Sequence, residues 1–340
     1  MRHRALLVPR GRGEAVRRAL VEAGALAVEL EILAEGDLLA LPLREGAGVP
    51  PEWGEVSERE FPELPAPSRS EFRDLLDWPD ELKALLPRSF DVVGEIVLLR
   101  LPVELEERRF EVGEALLRFV PGSRLVGLDR GVEGPERVRQ VERIAGSGGW
   151  QTRHRENRLE LDVDVQRAYF SPRLAGEHAR VAAEVRAGER VYDLCCGVGP
   201  FAVTIARDGR ARSITAVDAN PSAIELLGRT LERYAFGARV LPRVATVEAF
   251  VPSAGPVERV VINLPHEGIK YATLVAPLVA PGGSLQYYEV VPRDEVTQRG
   301  KVAERALSGV GPFTVRTVRL VHPYSPSRDL IGVSAVRGSD

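Results

Sequence analysis

The pattern that most narrows the possible folds runs from residue 169 to the end of the chain, where short apolar runs alternate with segments of helical spacing. Expected helices at 173–185, 201–207, 221–234, 271–279 and 294–307 are interleaved with expected strands at 191–194, 214–218, 239–244, 257–263 and 284–290. Such alternation specifies a largely parallel sheet covered by helices on both faces. Two further runs, 314–321 and 330–336, joined by His322 to Asp329, fit an antiparallel edge. At the first strand-to-helix turn stands Asp193-Leu194-Cys195-Cys196-Gly197-Val198-Gly199-Pro200-Phe201. An acid at the end of a strand followed by two glycines lets the backbone approach a ligand, at the crevice where open α/β sheets bind theirs.

Upstream, residues 4–43 read as a small αβ module, with strands at 5–8 and 38–43 around a helix at 14–22. The stretch 46–70, carrying Pro50, Pro51, Pro62, Pro65 and Pro67, reads as a linker. A second α+β module follows, with a strand at 91–99, a helix at 110–119, a strand at 124–128 and half-buried antiparallel strands at 137–144 and 158–165. The expected organisation is a first domain at 1–45, a linker at 46–70, a second domain at 71–168 and the alternating domain at 169–340.

The chain has 340 residues, 44% hydrophobic and 28% charged, so a core of ordinary size is available. A net charge of −3 gives no bulk support for nucleic-acid binding. Local balance differs: Arg2, Arg4, Arg10, Arg12, Arg17 and Arg18 face one acid, Glu14, and a second cluster lies at 137–158. With only three lysines in the chain, arginine is also simply its usual cation. The two cysteines, Cys195 and Cys196, are adjacent, which excludes a disulfide framework and a four-thiolate zinc site; a cytoplasmic setting is the expectation. The apolar segment Ala5-Leu6-Leu7-Val8 is too short for a signal peptide, and no run approaches transmembrane length.

Two cofactors compete for the glycine turn. A dinucleotide site would carry Gly-x-Gly-x-x-Gly, but here Gly199 is followed by Pro200, Phe201 and Ala202. The turn instead resembles the Asp-x-x-x-Gly-x-Gly form of class I S-adenosylmethionine-dependent methyltransferases. Asp218, ending the next strand, supports this, since a carboxylate can accept hydrogen bonds from both ribose hydroxyls. Either piece alone is also explained by a tight turn and a helix cap at Asn220-Pro221. At the end of the fourth strand, Asn263-Leu264-Pro265-His266 has the form found in methyltransferases acting on amino groups or ring nitrogens, where the Asn oxygen orients an N–H. Tyr287-Tyr288 on the following strand fits buried packing better than pocket lining.

Several stretches together resemble the archaeal and eukaryotic type of tRNA (guanine-37-N1)-methyltransferase. They are Arg88-Ser89-Phe90-Asp91-Val92-Val93-Gly94-Glu95-Ile96, Arg137-Val138-Arg139, His154-Arg155-Glu156-Asn157, Tyr169-Phe170-Ser171-Pro172-Arg173-Leu174, Glu177, the Gly197 to Phe201 turn, Asn263-Leu264-Pro265 and Tyr324-Ser325-Pro326. The resemblance implies two smaller α+β domains before a Rossmann-like class I methyltransferase domain, with a mostly parallel seven-stranded sheet and an antiparallel edge. It implies tRNA as partner, met at the elbow by the first domain and at the anticodon arm by the second, a monomer, and no metal or membrane. Glu177 matches the family's base, Arg137 the arginine that holds the guanine oxygen, and Asn263 the residue that aligns guanine and cofactor. Asp193, Gly197, Gly199, His178, Asp218, Ala219, Thr246, Val247 and Asn263 are the implied S-adenosylmethionine contacts, and Tyr169, Arg173 and Pro265 the substrate-positioning residues.

Three departures stand out. Thr246-Val247 occupies the place where an acid often receives the adenine, His178 stands where some relatives have Arg, and Cys195-Cys196 replaces the usual Phe-Ala pair. The competing readings are transfer of an aminocarboxypropyl group to a tricyclic guanosine precursor, methylation of that tricyclic base, and a non-catalytic RNA-binding homologue. Pro200 speaks against the first, because that sister group usually carries Tyr there. Glu177, Arg137 and Asn263 together speak against the last.

Overall fold

The computed structural model describes residues 2–27, 30–62, 71–134, 136–236 and 238–339. It divides into two compact units, Met1–Leu75 and Leu76–Asp340.

In the first unit, β1 (Arg2–Pro9) leads directly into α1 (Arg10–Glu22), followed by β2 (Leu33–Glu35), β3 (Leu38–Pro42) and β4 (Glu55–Glu60). The sheet order is β2-β3-β1-β4, all antiparallel. Leu6 and Val8 from β1, Val16 and Leu20 from α1 and Leu41 from β3 close a small core. The linker expected at 46–70 is corrected here: residues 55–60 pair with β1, Ala5 opposite Ser57, as an edge strand. The prolines misled because they flank this strand rather than interrupt it, and Pro cannot donate inside a ladder. Pro65 and Pro67 lie outside the described residues.

The second unit begins with α2 (Asp80–Ala84), β5 (Asp91–Val93), β6 (Ile96–Leu99), α3 (Arg109–Phe119), β7 (Leu125–Glu133) and β8 (Val138–Gly146). The single strand expected at 91–99 is two, folded at Gly94, which sits at φ 56°. A hairpin of β9 (Gln151–Glu156) and β10 (Leu159–Asp164) follows; β9 was not foreseen. Then come α4 (Ala175–Glu184), β11 (Arg190–Leu194), α5 (Pro200–Asp208), β12 (Ser213–Asp218), α6 (Pro221–Leu231), β13 (Arg239–Val244), α7 (Val247–Phe250) and β14 (Val257–Ile262). The chain ends with α8 (Gly268–Val275), β15 (Val279–Pro292), α9 (Arg299–Ser308), β16 (Phe313–Ser325) and β17 (Arg328–Arg337).

The seven-stranded sheet has the order β13-β12-β11-β14-β15-β17-β16. Its first five strands are parallel, and β17 and β16 are antiparallel additions. Strand order reverses between β11 and β14, which places the ligand crevice outside their carboxyl ends. The sheet is buried on both faces: Tyr288, Val261 and Ala216 lie in one apolar cluster, Tyr287, Val260 and Val217 in the other. Val93, Ile96 and Leu125 of the smaller sheet and Leu161 and Val163 of the hairpin join the first cluster. No helix among the described residues is long and apolar enough to cross a membrane.

Candidate functional site

Asp193, fully buried near the end of β11, receives the Ala202 backbone N–H on Oδ2 at 3.0 Å. Its Oδ1 is buried without a hydrogen-bond partner in the chain. Burial, opposed by the Ala202 bond and reinforced by the charge of Asp218, pushes its carboxyl up to about 7. Asp218 ends β12 and takes the N–H of Gly197 on Oδ2 at 2.7 Å and that of Asn220 on Oδ1 at 2.9 Å. Burial raises its carboxyl as well, against the pull of those two bonds. Ala219 follows it, exposed at the start of the turn into α6.

The turn between them depends on its glycines. Gly197 and Gly199 sit at φ 57° and 77°, and Gly199 is the left-handed residue preceding Pro200 at the first position of α5. A Cβ at Gly199 would lie 2.5 Å from Leu227 Cδ1. Gly199→Ala is therefore expected to cost about 2 kcal/mol or more, left-handed backbone alone costing about 1–2 kcal/mol; thermal denaturation checks it. Cys195 is left-handed too, at φ 56°, and burial raises its thiol to about 12, so both cysteines act as apolar packing.

Asn263 follows β14, and its backbone N–H reaches the Leu194 carbonyl at 3.4 Å, tying the two strand ends together. Its Oδ1 is buried and without a partner in the chain. The Pro265 carbonyl accepts from Val290 N–H at 2.9 Å, which fixes the tetrad to β15. His266 Nε2 lies 3.1 Å from the Tyr324 hydroxyl, the rings edge to face at 5.5 Å.

Glu136 and Arg137 lie in the turn between β7 and β8. Burial first, then the charges of Arg137 and Arg328, lowers the pKa of His266, and the charge of Glu136 raises that of Asp218. Arg137 and Arg139 both approach the Tyr169 ring, at 5.8 and 5.3 Å from its centroid. Arg139 is buried and bonds Asp129 Oδ2 at 2.6 Å and the Phe170 carbonyl at 3.2 Å. Arg173, exposed, donates to Asp91 Oδ1 at 2.7 Å, so its charge is engaged within the chain.

Glu177 and His178 lie side by side in the first turn of α4 and are both buried. Glu177 is ringed by three donors, of which the sequence singled out Tyr288 alone, and that one for packing. Tyr288 OH and Arg180 Nη2 each bond Oε2 at 3.1 Å, and Arg319 meets both oxygens, Nη2 at 2.6 Å from Oε2. Tyr287 and Tyr288 are both fully buried, as expected, but the hydroxyl of Tyr288 is thus spent on Glu177. His178 turns its Nδ1 to Glu156 Oε1 at 2.7 Å and packs edge-on against Phe201, leaving Nε2 without a partner in the chain. Its Nε2 is thereby left free for a ligand.

At the end of β13, Thr246 caps α7 through Oγ1 and the Ala249 N–H, at 3.2 Å, and Val247 is buried. Two residues on, Glu248 accepts the Tyr271 hydroxyl at 2.6 Å and is held below the usual carboxylate range chiefly by that bond. Among the described residues, no three His, Cys, Asp or Glu side chains are gathered as metal ligands.

Residues 152–308 match the TRM5/TYW2 methyltransferase domain, 72–149 the TYW2 N-terminal domain and 5–49 the tRNA methyltransferase 5 N-terminal domain. The tRNA (guanine(37)-N(1))-methyltransferase Trm5b of Pyrococcus abyssi is 32% identical over 338 residues, 97% of each chain. The crystal structure of wild-type Trm5b from Pyrococcus abyssi superposes with a TM-score of 0.72 at 30% identity, over 99% of both chains. A solved complex of aTrm5 and tRNALeu gives a TM-score of 0.67 at 27% identity, over 98% of this chain and 99% of that one. With identity of this degree along nearly its whole length, the chain belongs to the TRM5/TYW2 methyltransferase family.

Proposed function

We propose that this chain transfers the methyl group of S-adenosylmethionine to N1 of the guanosine immediately 3′ of the tRNA anticodon. The observation that carries the reading is the placement of Arg137, from the turn between β7 and β8, over the ring of Tyr169, 5.8 Å from its centroid. An arginine from a segment matched to an N-terminal domain of the family is thereby held against an exposed aromatic ring of the segment matched to the methyltransferase domain.

The residues present fit the cofactor. Two buried oxygens, Asp193 Oδ1 and Asn263 Oδ1, have no partner in the chain, and Gly197 leaves the turn without a Cβ. Asp193 would hold the ammonium group, and Asp218 the ribose hydroxyls through the second lone pairs of its oxygens. Ala219, Thr246 and Val247 would border the adenine, and His178 Nε2 would face the cofactor from α4. When bound, S-adenosylmethionine supplies an electrophilic methyl group.

The chain's own residues do the rest. The target lies in a stacked loop, so it must be flipped into the pocket, where Tyr169, carried by Arg137 and Arg139, and Pro265 would bracket it and Arg173 would guide the strand. Neutral guanine carries a proton on N1. Glu177 accepts that proton, Asn263 Oδ1 fixes the edge of the base, and Arg137 balances the charge that develops on O6. The three matched segments support reading the chain as a first domain and a second domain that grip tRNA and a catalytic domain.

One observation favours a second reading: a relative 26% identical over 239 residues is a tRNA 4-demethylwyosine(37)-methyltransferase, so methylation of a tricyclic guanosine derivative is the alternative. Incubation with S-adenosylmethionine and a tRNA transcript bearing guanosine 3′ of the anticodon, followed by nucleoside mass spectrometry, is expected to yield 1-methylguanosine. Its absence with folded, cofactor-binding protein would sink the assignment, and product only from tRNA carrying the tricyclic base would select the alternative.

A further inference from the structure

Glu177 is 7% exposed at its side chain, and its partners come from three elements. Arg180, on its own helix, meets Oε2 alone and shares its guanidinium with Glu184, at 2.5 Å. Tyr288 on β15 donates its hydroxyl to the same oxygen. Arg319 on β16 faces both oxygens with both terminal nitrogens, and its side chain is 36% exposed. This two-pronged geometry fixes a carboxylate in plane as well as in position, which a lone ammonium or a single donor does not. The strand is shaped for it: the β16–β17 register shifts between Val315 and Thr317 and again between Leu320 and His322, on either side of Arg319. Such irregularities re-aim side chains at sheet edges.

We propose that Arg319 is a positioning residue for the proton transfer. It holds both oxygens of Glu177 fixed in plane, and yields one arm of its fork when the N1–H of the target base arrives. This rests on the reading of Glu177 as proton acceptor. The proton passes from N1 to a Glu177 oxygen as the N1 electron pair forms the bond to the methyl carbon, and the bond from that carbon to the cofactor's sulfonium sulfur breaks with its electron pair left on sulfur, giving a neutral thioether. The resulting carboxylic acid, facing a guanidinium, then returns the proton to water. The groups facing the carboxylate throughout are Arg319, Arg180 and Tyr288, with Glu184 behind Arg180.

The test is single-turnover methylation of the tRNA transcript by Arg319→Met, Arg319→Lys, Glu177→Gln and the double variant Arg319→Met/Glu177→Gln, with cofactor binding measured by calorimetry to confirm each fold. At neutral pH, Arg319→Met is expected to lose about 10²-fold in rate, the lower end of what a positioned base contributes, with tRNA KM unchanged. The deficit narrows as pH rises and guanine N1 ionises unaided. Arg319→Lys recovers part of the rate. In the Glu177→Gln background, Arg319→Met costs nothing further, because it acts through a carboxylate already gone. Equal losses in both backgrounds, a loss expressed as raised tRNA KM, or a deficit flat in pH would overturn the proposal and make Arg319 a structural or RNA-contacting residue. A failure of the underlying reading looks different: Glu177→Gln alone would then turn over near the wild-type rate.

Discussion

Glu177→Gln is expected to lower the methylation rate by about 10²–10⁴-fold, the contribution of a positioned general base, and Arg137→Ala by about 10²–10³-fold, the cost of one donor to a developing oxyanion. Both variants should bind S-adenosylmethionine as the wild type does, because neither side chain belongs to the glycine turn. The amide at 177 keeps the shape of the carboxylate and can still accept from Arg319 and Tyr288, so the loss reads chemistry rather than packing. Stability should fall nonetheless, since two arginines lose the charge they face in a buried place. Arg137 is half-buried in a turn and lies over the exposed ring of Tyr169, so its removal should leave the melting temperature nearly intact. Single-turnover assays at saturating cofactor separate the outcomes. If both variants stayed within a few fold of wild type, the assigned roles would be wrong even if the activity stood.

What could be read in advance depended on how far apart in the chain the partners lie. The turn from Asp193 to Phe201 was legible because its logic is local: an acid, two left-handed glycines and a proline at the first helical position fall within nine residues. Asp218 and Asn263 were found because strand ends recur with the period of the strand-helix pattern. Arg319 was not found, since it stands 142 residues from Glu177 and looks like any other arginine on an edge strand until the sheet order brings β16 to the site. Glu156, 22 residues before His178, was noted within a family stretch, but its bond to His178 was not foreseen, because its hairpin strand is short and polar, a pattern that also reads as a loop. Thr246 illustrates the reverse case. It departs from the family's acid, but the structure gives it a local purpose as the cap of α7 and places an acid nearby at Glu248. The linker was misread because proline content signals an absence of pairing, whereas the edge position of β4 lets a strand survive between prolines.

The second large effect is expected at Asp193, where the demands of stability and of ligand binding oppose each other. Its folded-state carboxyl lies at about 7 against an ordinary 3.8, so in the ligand-free fold the protonated form is favoured. Below the ordinary value both folded and unfolded chains hold the proton, and nothing is lost. As pH rises from about 4 to about 7 the unfolded chain releases its proton while the folded one does not, so stability falls, by about 4 kcal/mol at 1.36 kcal/mol per pKa unit; above about 7 the loss levels off. Asp193→Asn removes this charge at constant shape. The amide oxygen can keep the Ala202 N–H, and the NH₂ group faces the crevice. The ligand-free variant should therefore lose most of the fall in melting temperature between pH 5 and 8 that the wild type shows. Cofactor binding should move the other way. Calorimetry is expected to find S-adenosylmethionine bound about 10²-fold more weakly, a loss of about 2.7 kcal/mol for one charge-assisted contact. Wild-type binding should also weaken as pH drops from 7 to 6, because the carboxylate must then be freed of its proton before it can meet the ammonium group. A variant that bound cofactor as well as wild type, or that steepened the dependence of stability on pH, would mean that the bare oxygen of Asp193 faces something other than the cofactor's charge.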